Sequence, residues 1–345
     1  MSSNDLNNTR FDSHSDSDVD QYTDYEDLFS QSDRKARRTR KPTAKHTPKK
    51  LQEQVLSEIA DTNAIESGFQ ITYKPSKHEA GWLLSSLRSF FDQELIIDVL
   101  AKVKGGKEAS VYRCQATPST GKTLLAAKVY RPQMFRNLRN DQQYKEGRAI
   151  LNKEGHVIKT NDHRIMRAIG KKSSFGEQVS HTSWLMYEYK TLDTLYRAGA
   201  AVPKPYATAD NAILMEYVGD EHTAAHTLSE LSLKRSEALP LFTEIMRNID
   251  LMLQHNIIHG DLSAYNVLYW EGQITLIDFP QVIDISSNRS AYAILLRDVT
   301  RICDYFSRFG VKADAEAHTD EFWKRYAQTE PHMLAWDAED GDEVE

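Results

Sequence analysis

Apolar residues recur at helical spacing in GWLLSSLRSFFDQELI, with Leu83, Leu87, Phe90 and Phe91 on one face. An amphipathic helix is therefore expected to open the ordered part of the chain near residue 80. The period then changes. IIDVLAKV, ASVYRCQA and LLAAKVYR are short runs rich in apolar and β-branched residues, separated by KGGKE and TPSTGK. That sequence of runs and turn formers predicts a three-stranded antiparallel meander. From about residue 135 to 200 the pattern is mostly helical, and ILMEYVG reads as a further strand. Helical spacing resumes in EALPLFTEIMRNIDLMLQHN, is broken by a short β segment in NVLYWEGQITLIDF, and returns in AYAILLRDVTRICDYFSRF. The expected architecture is α+β: a small antiparallel-sheet lobe with an extra leading helix (80–214), then a helical lobe (215–330). A tail (1–50) and a linker (51–79) precede the lobes, and an acidic tail (331–345) follows. No internal repeat is visible.

Charge changes this picture at the N-terminus. The net charge of −7 is uneven: DSHSDSDVDQYTDYEDLF is acidic, and RKARRTRKPTAKHTPKK reverses the sign. Neither block carries enough apolar residues to offset the entropy of ordering, so disorder is expected for both. The basic run Arg34–Lys50 is either a solubilising tail, folded back on the acidic block, or a contact for RNA or an acidic partner. Elsewhere a hydrophobic fraction of 40% over 345 residues allows a sizeable core. The two cysteines, Cys114 and Cys303, lie far apart with no His/Cys cluster, which argues against a structural zinc site and suits a reducing cytosol. No apolar run approaches the ~20 residues that cross a bilayer, and the N-terminus lacks the apolar stretch of a secretory signal. A cytoplasmic protein without a membrane partner is expected.

ATPSTGKTLL, Ala116 to Leu125, has the Gly-Lys-Thr ending of a phosphate loop. A phosphate loop leads into a helix whose N-terminus supports the phosphates. Here Gly121, Lys122 and Thr123 lead into LLAAKVYR, which reads as a strand, and Pro118 to Gly121 are turn formers. The stretch is expected to be a hairpin turn. The earlier turn, KGGKEASVY, is the better candidate for nucleotide binding, because Gly105 and Gly106 let the backbone approach a ligand closely.

The segment with the most chemistry is IIHGDLSAYNVLYWEGQITLIDFPQ, which holds Asp261, Asn266 and Asp278. Phosphoryl transfer asks a protein to orient a hydroxyl, hold magnesium and neutralise phosphate charge. Asp261, on a short loop, can orient the hydroxyl. Asn266 and Asp278 offer the hard oxygen ligands that Mg²⁺ prefers. A β-hairpin over NVLYWEGQITLID would bring these two together. His259 is expected to buttress the loop.

The pattern H-x-D-x-x-x-x-N followed by I-D-F resembles the protein-kinase catalytic and metal-binding motifs. GKEASVY, AAKVYR, LMEYVG, HGDLSAYN and IDFPQ, in that order, resemble the RIO family of atypical protein kinases and ATPases over residues 80 to 315. YRPQMFRNLRNDQQYKEGR is similar to the first RIO subfamily and its bacterial relatives. The resemblance implies a two-lobed protein-kinase-like fold with Mg-ATP between the lobes. It implies that Lys128 contacts the α- and β-phosphates and that Glu188 is its acidic partner. Met215 would guard the back of the adenine pocket, and Glu216 and Val218 would offer backbone groups to adenine. Gly105, Gly106, Lys107, Glu108 and Val111 would cover the nucleotide. Asp261 and Asp278 would be catalytic, with Asn266 and Asp278 on the metal.

Some departures from ordinary kinases matter. The glycine loop is the short GGKE turn, proline follows Asp278-Phe279, and no Ala-Pro-Glu motif or long activation loop appears. These departures are shared by the RIO family. They put peptide phosphorylation in doubt and imply an ATPase-like cycle in which Asp278 itself accepts phosphate. An aspartate carboxylate can form such an intermediate. ATP hydrolysis and autophosphorylation are the expected activities, with serine/threonine phosphorylation second to them. Two alternatives are a small-molecule phosphotransferase of the choline or aminoglycoside kinase type and an ATP-switched binding module in ribosome maturation. The segment Asn152 to Ser180 reads as an insertion that either covers the nucleotide or is an ordinary surface loop.

Overall fold

Where the sequence changes from helical to strand periodicity, so does the chain. In this computed structural model the described residues are 70–106, 108–130, 148–158, 162–171 and 173–327. The expected tails, 1–50 and 331–345, lie outside them. Strand β1 (Gln70–Ile71) precedes helix α1 (Lys77–Asp92), and β2 (Ile96–Gly105), β3 (Ala109–Ala116) and β4 (Leu124–Tyr130) follow. β2, β3 and β4 pair antiparallel in sequence order, as the meander predicts.

β4 shows why LLAAKVY is apolar on both faces. Leu125, Ala127 and Val129 pack with Leu83, Leu87 and Phe90 of α1 in one cluster. Ala126 and Tyr130 face the other way, into the main core, and Lys128 shares their parity. A strand covered on both sides loses the alternation of a half-solvated one. The full sheet has six strands in the order β1-β2-β3-β4-β6-β5, with β5 (Pro205–Thr208) and β6 (Ala212–Glu216) completing it. The expected boundary between lobes, at 214/215, falls inside β6.

Order begins earlier than residue 80. β1 lies in the segment read as a linker and pairs parallel with β2. The next residue, Thr72, donates its amide N–H and hydroxyl to Asp98 at 2.8 and 2.5 Å. Two residues are too few to show a period, so only the β2 edge reveals this strand. A buried carboxylate then ties α1 to the sheet: Glu79 accepts from Lys102 Nζ at 3.0 Å, from Tyr73 at 3.2 Å and from the Tyr112 hydroxyl.

Between β4 and β5 lie α2 (His163–Gly170) and α3 (Ser174–Arg197). The helical expectation fails over 148–158, which is irregular with one isolated bridge between Leu151 and Val157. The Asn152 side chain accepts the N–H groups of Glu154 and His156, and Gly155 has a φ of 83°. This turn chemistry outcompetes a helix. The two helices pack closely at Gly176, where a Cβ would lie 2.1 Å from the Ala168 carbonyl oxygen.

The second lobe holds β7 (His226–Thr227), α4 (Arg235–Gln254), β8 (Ile257–Ile258), β9 (Val267–Trp270), β10 (Gln273–Leu276), β11 (Ile283–Asp284), α5 (Ala291–Ser307) and α6 (Ala315–Tyr326). β9 and β10 form the expected hairpin, turned by Glu271 and Gly272 at positive φ, as a two-residue hairpin turn requires. The result is the α+β, two-lobed arrangement that the sequence pattern implies. No helix among the described residues is long and apolar enough to cross a membrane.

The packing of α1 yields a direct test. Leu87 is fully buried between the helix and the sheet. Leu87→Ala should cost about 2–5 kcal/mol of unfolding free energy, measured by urea denaturation. A loss under about 1 kcal/mol would mean that α1 is not part of the cooperative core.

Candidate active site

Inward parity on β4 aims Lys128 into the space between the lobes. Its Nζ lies 2.6 Å from Glu188 Oε1 on α3 and 2.5 Å from Asp278 Oδ1 beyond β10. Glu188 is 1% exposed and also accepts the Tyr130 hydroxyl. The Tyr130 ring lies 5.2 Å from Lys128 Nζ. Burial pushes the Glu188 carboxyl up, and Lys128 only partly opposes this. Burial also works against the charged form of Asp278, but there the Lys128 charge and hydrogen bond win and hold the carboxyl below its ordinary value. Lys128 answers both: burial disfavours its charge, and the two carboxylates outweigh that and hold it above the usual lysine range. One ammonium therefore serves two carboxylates, and 42% of the Asp278 side chain is open to the cleft.

The loop HGDLSAYN is held from several sides. His259 Nδ1 accepts the Asp261 amide N–H at 3.3 Å, so its ring proton sits on Nε2, which donates to the Ile277 carbonyl at 3.1 Å. The ring packs on Phe279 with centroids 4.7 Å apart. Gly260 has a φ of 81°, and a Cβ there would lie 2.1 Å from the Gln281 carbonyl oxygen. Only glycine meets both demands. The Gly260 N–H donates to Asp298 Oδ2 at 2.8 Å, and its carbonyl accepts from Arg297. Both partners come from α5.

A short 3₁₀ turn, Ala264–Asn266, brings Asn266 back to Asp261. Asn266 Nδ2 donates to the Asp261 carbonyl at 2.8 Å and to its carboxylate at 3.3 Å. The Ile277 N–H donates to the Asn266 carbonyl at 3.0 Å, which carries the β9–β10 pairing one step further and sets Asn266 beside the Ile277–Asp278 backbone. Asp278 then turns sharply, with a φ of 72°. Two acceptors claim the Asn266 amide nitrogen, so its amide oxygen is the atom left for a cation. That oxygen and the Asp278 carboxylate are both hard-oxygen donors. Mg²⁺ is usually held by one or two protein ligands plus phosphates and water, so these residues fit it.

The residues expected to meet a nucleotide are spread over the sheet and the segment that follows it. Val111 pairs with Lys128, and Ala126 with Met215. Met215 is buried in the main core. The Gly106 N–H donates to the Ala109 carbonyl at 2.8 Å, and a Cβ on Gly106 would come within 2.9 Å of that oxygen. Gly105 pairs with Ser110 at the end of the ladder, and Glu108 is half-buried. Lys107 lies outside the described residues. The Glu216 N–H donates to the Lys204 carbonyl at 2.8 Å, and the Val218 carbonyl accepts from Ala225 at 3.0 Å.

Lys122 is not part of the Lys128–Glu188–Asp278 group. It follows a 3₁₀ turn over Pro118–Thr120 and Gly121 at φ 69°, and its ammonium pairs with Glu216 at 2.5 Å. ATPSTGKTLL is thus the hairpin turn expected. Sequence reasoning missed Tyr130, whose position two residues after Lys128 was a usable signal. It also missed Arg297, Asp298 and Arg301 of α5, and Arg148, whose guanidinium meets the Pro280 and Val282 carbonyls at 3.1 and 2.5 Å. For these, nothing in the local pattern names the loop they reach. No metal-holding group of three or more His, Cys, Asp or Glu exists among the described residues.

The model of the RIO domain family matches residues 110–320. A RIO-type serine/threonine-protein kinase Rio1 from Haloferax volcanii is 29% identical over 218 residues, covering 62% of this chain and 65% of that protein. The serine/threonine-protein kinase RIO1 of Chaetomium thermophilum is 26% identical over 235 residues, 65% of this chain and 42% of its own length. The serine/threonine-protein kinase RIO1 of Homo sapiens is 24% identical over 243 residues, 70% and 39% respectively. The chain therefore spans less than two thirds of the length of each of these relatives.

Lys128→Ala would leave Glu188 buried without its cation. At neutral pH this should cost about 3–5 kcal/mol, read by chemical denaturation. The Glu188 carboxyl is already raised in the folded state, so this deficit should be largest above its folded pKa. It should shrink as pH falls toward the ordinary glutamate value of 4.5 and the group binds a proton. A deficit independent of pH would show that Glu188 is not the residue left unpaired.

Proposed function

The chain belongs to the RIO domain family, and on that premise we propose that it binds Mg-ATP between its lobes and transfers the γ-phosphoryl group. Its activities on this reading are ATP hydrolysis, autophosphorylation and phosphorylation of serine/threonine hydroxyls. The observation that carries it is the Lys128 ammonium held between Glu188 and Asp278 at 2.6 and 2.5 Å, because it joins three distant segments at one point where phosphate charge can be met.

Each residue then has a task. Lys128 engages the α- and β-phosphate oxygens, and Glu188 keeps its side chain extended toward them. The backbone at Glu216 and Val218 meets the adenine, with Met215 behind it. The glycine turn at Gly105 and Gly106, with Lys107, Glu108 and Val111, covers the nucleotide. Asn266 and Asp278 hold Mg²⁺, which when bound neutralises charge on the phosphates. Asp261 accepts the hydrogen bond of the attacking hydroxyl or water and takes its proton. A bond forms from that oxygen to the γ-phosphorus, the bridge to the β-phosphate breaks, and ADP leaves. When the acceptor is the Asp278 carboxylate, no proton is released on attack, and water later cleaves the acyl phosphate. The basic run Arg34–Lys50 is proposed as a contact for ribosomal RNA, in a cytoplasmic setting.

Incubation with γ-labelled ATP and Mg²⁺ tests the assignment. Asp261→Asn should lower turnover by roughly 10²–10⁴-fold while Mg-ATP still binds. Asp278→Asn should weaken metal-dependent binding and abolish any hydroxylamine-labile label. Full turnover in the Asp261 variant would sink the reading. An acid-stable label that survives in the Asp278 variant would move the phosphate acceptor to a hydroxyl side chain.

A further inference from the structure

Three residues on one face of α5 hold two consecutive residues of the loop. Arg297 donates to the Gly260 carbonyl, Asp298 accepts the Gly260 N–H, and Arg301 Nη1 lies 2.9 Å from Asp261 Oδ1. Their spacing, i, i+1 and i+4, places them together on the helix. The three do different things. Asp298 is 2% exposed and fixes backbone. Arg301 and Asp261 are each 41% exposed, so their pair sits at the rim of the cleft. An exposed ion pair adds only about 0–1 kcal/mol to folding, and the Gly260 backbone is already held without it. What Arg301 does control is the Asp261 side chain. With Oδ1 on Arg301 and Oδ2 on Asn266 at 3.3 Å, the carboxylate is gripped at both oxygens. Removing the rim contact leaves one long hydrogen bond to set its rotation.

Resting on the reading of Asp261 given above, we infer that Arg301 is a positioning residue, which holds the Asp261 carboxylate turned toward the attacking hydroxyl or water. It does not bind the nucleotide. The carboxylate keeps a lone pair on each oxygen beyond those engaged by Arg301 and Asn266, and it is one of these that takes the acceptor's hydrogen. A misplacement of about 1 Å in such a group costs on the order of 10²-fold in rate.

The test uses the full-length protein and steady-state ATP turnover. Arg301→Ala should lower kcat about 10–100-fold, with KM for ATP within about twofold and no change in thermal midpoint beyond about 2 °C. Arg301→Lys should recover part of the loss, and millimolar guanidinium ion should partly restore Arg301→Ala. The double variant Asp261→Asn/Arg301→Ala should be no slower than Asp261→Asn alone, as expected for two residues acting as one unit. An unchanged or increased kcat in Arg301→Ala would overturn the inference, as would a loss confined to KM or one tracking thermal stability. If Asp261→Asn fails to turn over while Arg301→Ala is normal, only this inference falls. If Asp261→Asn is fully active, both it and the reading beneath it fall.

Discussion

A carboxylate with 1% exposure is the constraint around which the rest is arranged. Glu188 on α3 cannot stay charged in the core without a cation, and Lys128 is that cation. Leaving Glu188 without Lys128 would cost several kcal/mol, so the pair ties α3 to the sheet. Lys128 must then face inward, and the parity of β4 obliges it to. The same parity turns Tyr130 inward, where its hydroxyl meets the second oxygen of Glu188. The outward residues of β4 are left to α1. One ion pair thus fixes the faces of the sheet and the seating of the helix behind it.

The second lobe completes the arrangement through Asp278, which reaches the same ammonium from 150 residues away. Its backbone has positive φ, uncommon for a residue with a side chain. That conformation is held by neighbours: His259 grips the Ile277 carbonyl from one side and packs on Phe279 from the other. Gly260 carries the matching demand within its own loop, since it sits against the Gln281 carbonyl. Helix α5 then holds Gly260 by both of its backbone groups. Strain of this kind persists only where surrounding contacts over-determine it, and here they come from separate elements.

The two lysines of the β3–β4 hairpin show how context overrules a motif. Lys122 has the sequence neighbours of a phosphate-loop lysine, yet it sits on a turn before a strand and pairs with Glu216 at the end of β6. Lys128 has no such motif, yet it lies where two carboxylates converge. The difference is one of strand geometry. A helix N-terminus would have supplied aligned N–H groups to an anion at Gly121, and a strand cannot.

Much of this was legible in the chain itself. Periodicity and turn chemistry determined α1, the meander and the β9–β10 hairpin, because those depend on neighbours a few residues apart. The spacing of Asp261, Asn266 and Asp278 also carried its meaning locally, since one short turn and one hairpin suffice to gather them. Tertiary structure decided the rest. β1 is a strand only because the β2 edge is there to pair with it. Lys122 goes to Glu216, and Arg301 goes to Asp261, across 94 and 40 residues of chain. A sequence pattern records which face of an element is buried. It does not record which distant charge that face will meet, because that depends on how separately formed elements pack.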